Sequence, residues 1–293
     1  MQISDMRFLA PLMLAFTTLL SGCAPALKTT TPPVVPAGMP SEVSVSPAMP
    51  DKKYLPVQAG IVDGTHYIFI QTQGGSIFLG PIFGSMNISR KSQAMANQYK
   101  DSILQIDPLP IATDALAAAG IKAAAESAAF DLKTFVFVQR CDDEKVRLAL
   151  VFHVDNPQTK WVGRYTYHLP TMYAESELAS LQDQQVAQYK KELGDGAVAL
   201  ADLVKRDLNG ELPATGKRVN FGSLNLIGSK MGGMGMYMQA EEMFFRDSQV
   251  VEETDQYVTV RVPGWINSSV FGGAIAYGVQ RMAKSQVHTM KLY

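Results

Sequence analysis

Met231, Met234, Met236 and Met238, punctuated by Gly232, Gly233 and Gly235, are the residues whose type and spacing most invite a chemical reading. Thioethers are soft ligands that suit Cu(I), and a flexible segment can bring several around one ion. Methionine also fills adaptable apolar contacts, and the chain holds 15 of them, so a core or partner-binding use competes with the metal. The histidines are His66, His153, His168 and His288, with no His-Glu-x-x-His spacing for zinc and no Gly-x-Ser-x-Gly elbow for a serine nucleophile. Cys141 is the only thiol besides Cys23, and Asp142, Asp143 and Glu144 beside it oppose a thiolate, Arg140 notwithstanding. Glu241 with Glu242 and Glu252 with Glu253 are adjacent pairs. Strand neighbours point to opposite faces, so neither pair forms an acid–base dyad by spacing, and solvated turns account for them. Gly74 and Gly75 follow a strand, but no Gly-Lys-Ser/Thr completes a phosphate loop.

The elements that must position these groups are β-rich. Ala59–Val62, Asp63-Gly64 and Thr65–Gln71 spell a hairpin with a two-residue turn. Gly74, Gly75, Gly80, Pro81 and Gly84 then break an apolar stretch in which Ile82 and Phe83 are candidates for a partner surface. Residues 91–100 read as a helix stopped by Asp107, Pro108 and Pro110, and Thr113 or Asp114 caps a second that reaches roughly to Leu132, with Gly120 as a break. Phe135–Val138 is a wholly apolar strand, and Val146–Val154 alternates with period two.

If Asp155 opposes Lys160, the alternating set of Val154, Phe152, Leu150 and Leu148 faces Trp161, Gly163, Tyr165 and Tyr167. His153 then faces Val162 and His168 faces Arg147, too far apart to chelate one ion. One amphipathic helix ends near Gly194, and a second, lined by Leu200, Val204 and Leu208, ends at Asn209-Gly210. Lys217–Ile227, Met236–Val251 and Gln256–Val262 read as strands, with Met236–Phe245 open to a helical reading as well, and a terminal helix runs from Ser268 or Ser269 through Lys284. The expected class is α+β, antiparallel meanders with helices packed mainly on one face, as one body over 57–293 or two similar halves meeting near 170.

The N-terminus carries a different signal. Arg7 precedes an apolar run from Phe8 to Leu20, too short for the ~20 residues of a membrane-spanning helix, and residues 1–22 read as a signal peptide. The run closes on Leu20, Ser21, Gly22 and Cys23, which resembles the lipobox of bacterial lipoproteins. That resemblance covers the export segment alone. It implies cleavage between Gly22 and Cys23, a thioether-linked diacylglycerol and an amide-linked acyl chain on Cys23, and anchoring by several acyl chains. Ala24 rather than Asp at the second mature position implies outer-membrane sorting, facing the periplasm. From Pro25 to Pro56 lie eight of the sixteen prolines, which reads as a spacer over 23–56, about thirty residues of which reach at most roughly 90 Å in polyproline II. Val34, Val35, Val43 and Val45 could instead add an edge strand.

Composition narrows the function. Of 293 residues 47% are hydrophobic, enough for a sizeable core, and 26 Lys+Arg against 27 Asp+Glu give a formal charge of -1, without the basic footprint of a nucleic-acid binder. Two cysteines exclude a disulfide scaffold. The expected role is a non-enzymatic binding or envelope-assembly module anchored to the membrane, its partner an envelope protein or polymer, with no cofactor beyond the lipid on Cys23. A Cu(I) protein using the methionines and an envelope hydrolase with dispersed residues are the alternatives, the latter requiring a pocket where His153 or His168 meets a carboxylate or hydroxyl.

Overall fold

Val146, Leu148, Leu150, Phe152 and Val154 alternate with Arg147, Ala149, Val151 and His153, and the segment forms one strand of a three-stranded antiparallel centre. In this computed structural model, residues 26–29, 42–56, 59–71, 80–124, 129–141, 145–223, 244–262, 264–267 and 277–289 are described. In chain order the first strands are β1 (Ala26–Thr29), β2 (Glu42–Ser46), β3 (Gly60–Ile61) and β4 (Tyr67–Ile70), followed by helices α1 (Gly80–Gln98) and α2 (Pro108–Ala118). Strands β5 (Lys122–Ala124), β6 (Asp131–Arg140), β7 (Lys145–Asn156) and β8 (Trp161–Ala174) precede helices α3 (Glu175–Leu178) and α4 (Asp183–Leu208). The rest is β9 (Lys217–Ser223), β10 (Phe244–Glu253), β11 (Tyr257–Val262), β12 (Gly264–Asn267), β13 (Gly278–Ala283) and β14 (Val287–Thr289).

The class is α+β. A 12-stranded sheet runs β14-β9-β10-β11-β13-β8-β7-β6-β2-β5, with β4 also on β6 and β3 on β4. The meander β6–β7–β8 is antiparallel as expected, but the sheet is mixed: β13 joins β8, and β2 and β4 join β6, in parallel. Residue 170 lies inside β8, so the sheet runs through it without a boundary. Side chains of α1, α2 and α4 share one core with the face of the sheet that carries Leu132, Val136, Leu148, Leu150, Phe152 and Tyr165. The opposite face holds a second cluster around Ile68, Phe135, Phe137, Val151, Phe245, Val260 and Met282.

Several boundaries differ from the sequence reading, each for a local reason. Asp155 opposes Val162 rather than Lys160, because Asn156 Oδ1 accepts from the amides of Gln158 and Thr159 at 3.0 Å each and Lys160 takes φ 60°, which makes the turn four residues long. A slip of two preserves side-chain parity, so the apolar set still lies on one face. Asp63-Gly64 sits in a turn, but the paired rungs are Gly60–Phe69 and Ile61–Ile68, which gives a longer connection than two residues. Asp107 and Pro108 start a helix instead of ending one: the Asp107 carboxylate caps the Leu109 amide at 2.9 Å, and proline at the first turn forfeits no helical hydrogen bond. That helix ends before Gly120 (φ +78°), with β5 and β6 where helix was expected to continue.

Gly194 does not interrupt α4, a single helix of 26 residues. At Gly196 a Cβ would lie 2.7 Å from Tyr167 Cδ1, so the glycine there admits close packing on β8 and is not a stop. The expected terminal helix is replaced over 278–283 by β13, which pairs with both β8 and β11. Residues 42–56, expected in the spacer, belong to the body: Val43 is buried in β2, between β6 and β5, and Leu55 is buried in the second cluster.

Candidate functional site

Among the described residues, the face of the sheet opposite α1, α2 and α4 carries a row of buried polar side chains. The cross-strand register sets Lys133 opposite His153, and His153 opposite Arg164. Further along lie Thr166 and His168, with Gln280 beside Thr166. Arg147, Arg164, His153, His168 and Gln280 are all at most 1% exposed. A guanidinium is costly to bury unless its hydration is replaced. Arg164 Nη2 donates to the Tyr54 carbonyl at 2.8 Å, and its charge lies 4.2 Å from the Tyr277 ring centroid, with the Phe135 and Phe137 rings at 5.5 and 5.9 Å.

His153 Nδ1 lies 3.4 Å from Arg164 Nη2 and Nε2 lies 3.8 Å from Asp155 Oδ2. Lys133 Nζ in turn bridges Asp155 and Asp131 at 2.7 Å each. Burial holds the His153 imidazole well below its ordinary 6.5, helped by the positive charges of Arg164 and Lys133. His168 is pushed down to about 3, mainly by burial and then by Arg147, against a hydrogen bond of its Nε2 to Gln280 Oε1 at 2.8 Å. Both rings are therefore neutral near pH 7.

A neutral imidazole between a guanidinium and a carboxylate has the makings of a general base, but a base must reach the proton that it takes. His153 and His168 are 0% exposed, and among the described residues no hydroxyl or thiol is hydrogen-bonded to either ring. This geometry counts against the pocket that a hydrolase reading of these histidines needs. The expected partners are corrected too: His153 faces Arg164 instead of Val162, and His168 faces Ala149 instead of Arg147.

His66 places Nδ1 2.9 Å from Asp107 Oδ1 and Nε2 3.0 Å from the Pro47 carbonyl, tying the segment before β3 to the cap of α2. His288 is exposed on β14, and Cys141 is buried. Glu252 and Glu253 are strand residues rather than turn residues: Glu252 meets Arg281 at 3.0 Å and Arg206 at 3.4 Å, and Glu253 meets Lys284 at 2.8 Å. Among the described residues no group of three His, Cys, Asp or Glu could hold a metal ion.

Sequence reasoning missed two structural ion systems. Arg164 lies in a strand whose alternation draws attention to its tyrosines, and Asp207 sits in the last turn of α4. The Asp207 carboxylate accepts from Tyr165 Oη at 2.8 Å and from Arg261 Nη1 at 3.1 Å, and also meets Arg261 Nη2, which pins α4 to β8 and β11. An acid in the last turn of a helix, where the helix dipole disfavours a negative charge, was the available signal.

Of the expected site residues, Gly22 and Cys23 lie outside the described residues, as do Met231, Met234, Met236 and Met238 and the Glu241-Glu242 pair. Ile82 and Phe83 fall in α1. Three positions beyond Cys23, β1 pairs antiparallel with β12, with Ala26 opposite Asn267, Leu27 opposite Ile266, Lys28 opposite Trp265 and Thr29 opposite Gly264. Among the described residues no helix is long and apolar enough to cross a membrane.

No family model matches the chain, and no curated protein matches it. Among solved structures, the chain is similar over 36% of its length to 87% of a provisionally named lipoprotein from Caulobacter crescentus CB15, solved at 2.40 Å, with 17% identity and a TM-score of 0.24. A likeness that weak carries no argument about fold or activity.

Proposed function

We propose that this chain is a lipoprotein anchored through Cys23 in the outer membrane, facing the periplasm, whose folded body binds an envelope protein or polymer instead of catalysing a reaction. The observation that carries the reading is the box Leu20-Ser21-Gly22-Cys23 at the end of the apolar run Phe8–Leu20 that starts just after Arg7. Several acyl chains at ~0.8 kcal/mol per buried methylene make release from a bilayer negligible. Burial of both imidazoles, with no hydroxyl or thiol hydrogen-bonded to either among the described residues, weighs against a hydrolytic use of these histidines.

Mass spectrometry of the mature protein tests the anchor. The expected N-terminal peptide begins at Cys23 and carries the mass of three acyl chains, whereas Cys23→Ser gives uncleaved or unacylated protein. A mature N-terminus elsewhere with a free thiol at Cys23 overturns the reading. Ala24→Asp is expected to move the protein from the outer to the inner membrane fraction. Crosslinking in cells followed by affinity recovery tests the binding role: a specific envelope component recovered with wild type and lost with Cys23→Ser supports it, and recovery of lipid alone counts against it.

A further inference from the structure

We infer that the β1–β12 ribbon is a membrane-contact element, lying on the surface of the leaflet that holds the Cys23 lipid. The inference rests on the anchor reading above and adds a protein surface to it. Ala26 is three residues from Cys23, so even a fully extended chain, at roughly 3.3–3.6 Å per residue, puts the Ala26–Asn267 rung within about 11 Å of the lipidated sulfur's own residue. The polar layer on each side of a bilayer is roughly 5–8 Å deep, half the difference between total and hydrocarbon thickness. The first rung therefore cannot leave the neighbourhood of the headgroups.

The residue types along the ribbon fit that place. Trp265, opposite Lys28, is the kind of side chain that collects at bilayer interfaces, and lysine is drawn to anionic headgroups. Leu27 stands opposite Ile266, so the ribbon offers an apolar pair beside the Lys28–Trp265 pair. Only residue 263 separates β12 from β11, a strand in the interior of the main sheet. Contact at the ribbon therefore ties the sheet itself to the membrane.

Tryptophan fluorescence tests this directly, because the chain has 2 Trp and the other, Trp161, is buried at 7% exposure in the helix-side core. The full-length acylated protein is reconstituted in vesicles of phosphatidylethanolamine and phosphatidylglycerol, with and without bromine on the acyl chains near the headgroup. Wild type is expected to lose on the order of half its emission in brominated vesicles, while Trp265→Phe, which leaves Trp161 in place, is expected to lose little. Full acylation and vesicle binding with wild-type emission unaffected by bromine would overturn the ribbon contact and leave the anchor standing. Equal quenching in wild type and Trp265→Phe would overturn it as well, by assigning the quenching to Trp161. Absence of acyl mass on Cys23 would instead remove the anchor reading and this inference with it.

Discussion

Arg164 and His153 illustrate how this sheet handles polarity. Both are buried, and their neighbours come from separate parts of the chain: the Tyr54 carbonyl and the Tyr277 ring for Arg164 and, through Lys133, two aspartates for His153. The depressed histidines have a thermodynamic consequence. Unfolded His168 takes a proton near pH 6.5, whereas the folded ring waits until about pH 3, so the unfolded state binds more protons between these limits. Stability contributed by the neutral ring is complete above pH 6.5 and is lost as pH falls, at a slope on the order of 1 kcal/mol per pH unit for each such histidine. His168→Gln is expected to flatten the fall in urea midpoint between about pH 6.5 and pH 5; an unchanged slope would show that this ring titrates normally when folded.

The Asp207–Arg261 pair gives a second test at this scale. Asp207→Ala strands a guanidinium against a carboxylate that has gone, and is expected to cost about 3–5 kcal/mol in chemical denaturation. Replacing both, Asp207→Leu with Arg261→Met, is expected to recover part of that loss, because the unpaired charge is gone while the buried Tyr165 hydroxyl still lacks its acceptor. A double variant as weak as the single would mean that packing and not charge dominates there.

At the scale of elements, α4 is held to the sheet by close approach in its middle and by charge at its end. Gly196 lets the helix backbone settle on Tyr167, whose hydroxyl bonds Tyr257 at 3.1 Å on β11. Gly196→Ala gains helix propensity, by about 1 kcal/mol, but drives a methyl into the ring of Tyr167. Overpacking of this kind costs about 1–3 kcal/mol, so the net expectation is destabilisation, read as a lower thermal midpoint. A stabilised variant would show that β8 yields at no cost. The same element misled the sequence reading, since a glycine mid-helix looks like a terminus until the strand beneath it is known.

For the whole molecule, the proline-rich stretch is divided between two uses. Residues 42–56 pack into the body, and residues 26–29 pair with β12, so the path from Cys23 to the sheet crosses the ribbon and does not need the full spacer length. A chain beginning at residue 42 is expected to unfold cooperatively, with a urea midpoint near that of the full mature body. A chain beginning at residue 57 loses β2, Leu55 and the Tyr54 carbonyl that receives Arg164, and is expected to be several kcal/mol less stable. Equal stability of the two would return residues 42–56 to the role of a spacer.

Local pattern was enough for much of this molecule. Strict alternation in 146–154 specified a strand and the side it buries, because a two-residue period has only two phases and the slip in register was itself of two. The lipobox likeness is likewise a contiguous signal, independent of folding. Tertiary structure decided what no window of sequence holds. Val43 becomes interior because β6 has a free edge to receive it, and residues 278–283 become a strand because β8 and β11 offer edges on both sides. His153 and His168 become buried because the opposite face of the sheet is also covered, and burial on two faces depends on elements that arrive from distant parts of the chain.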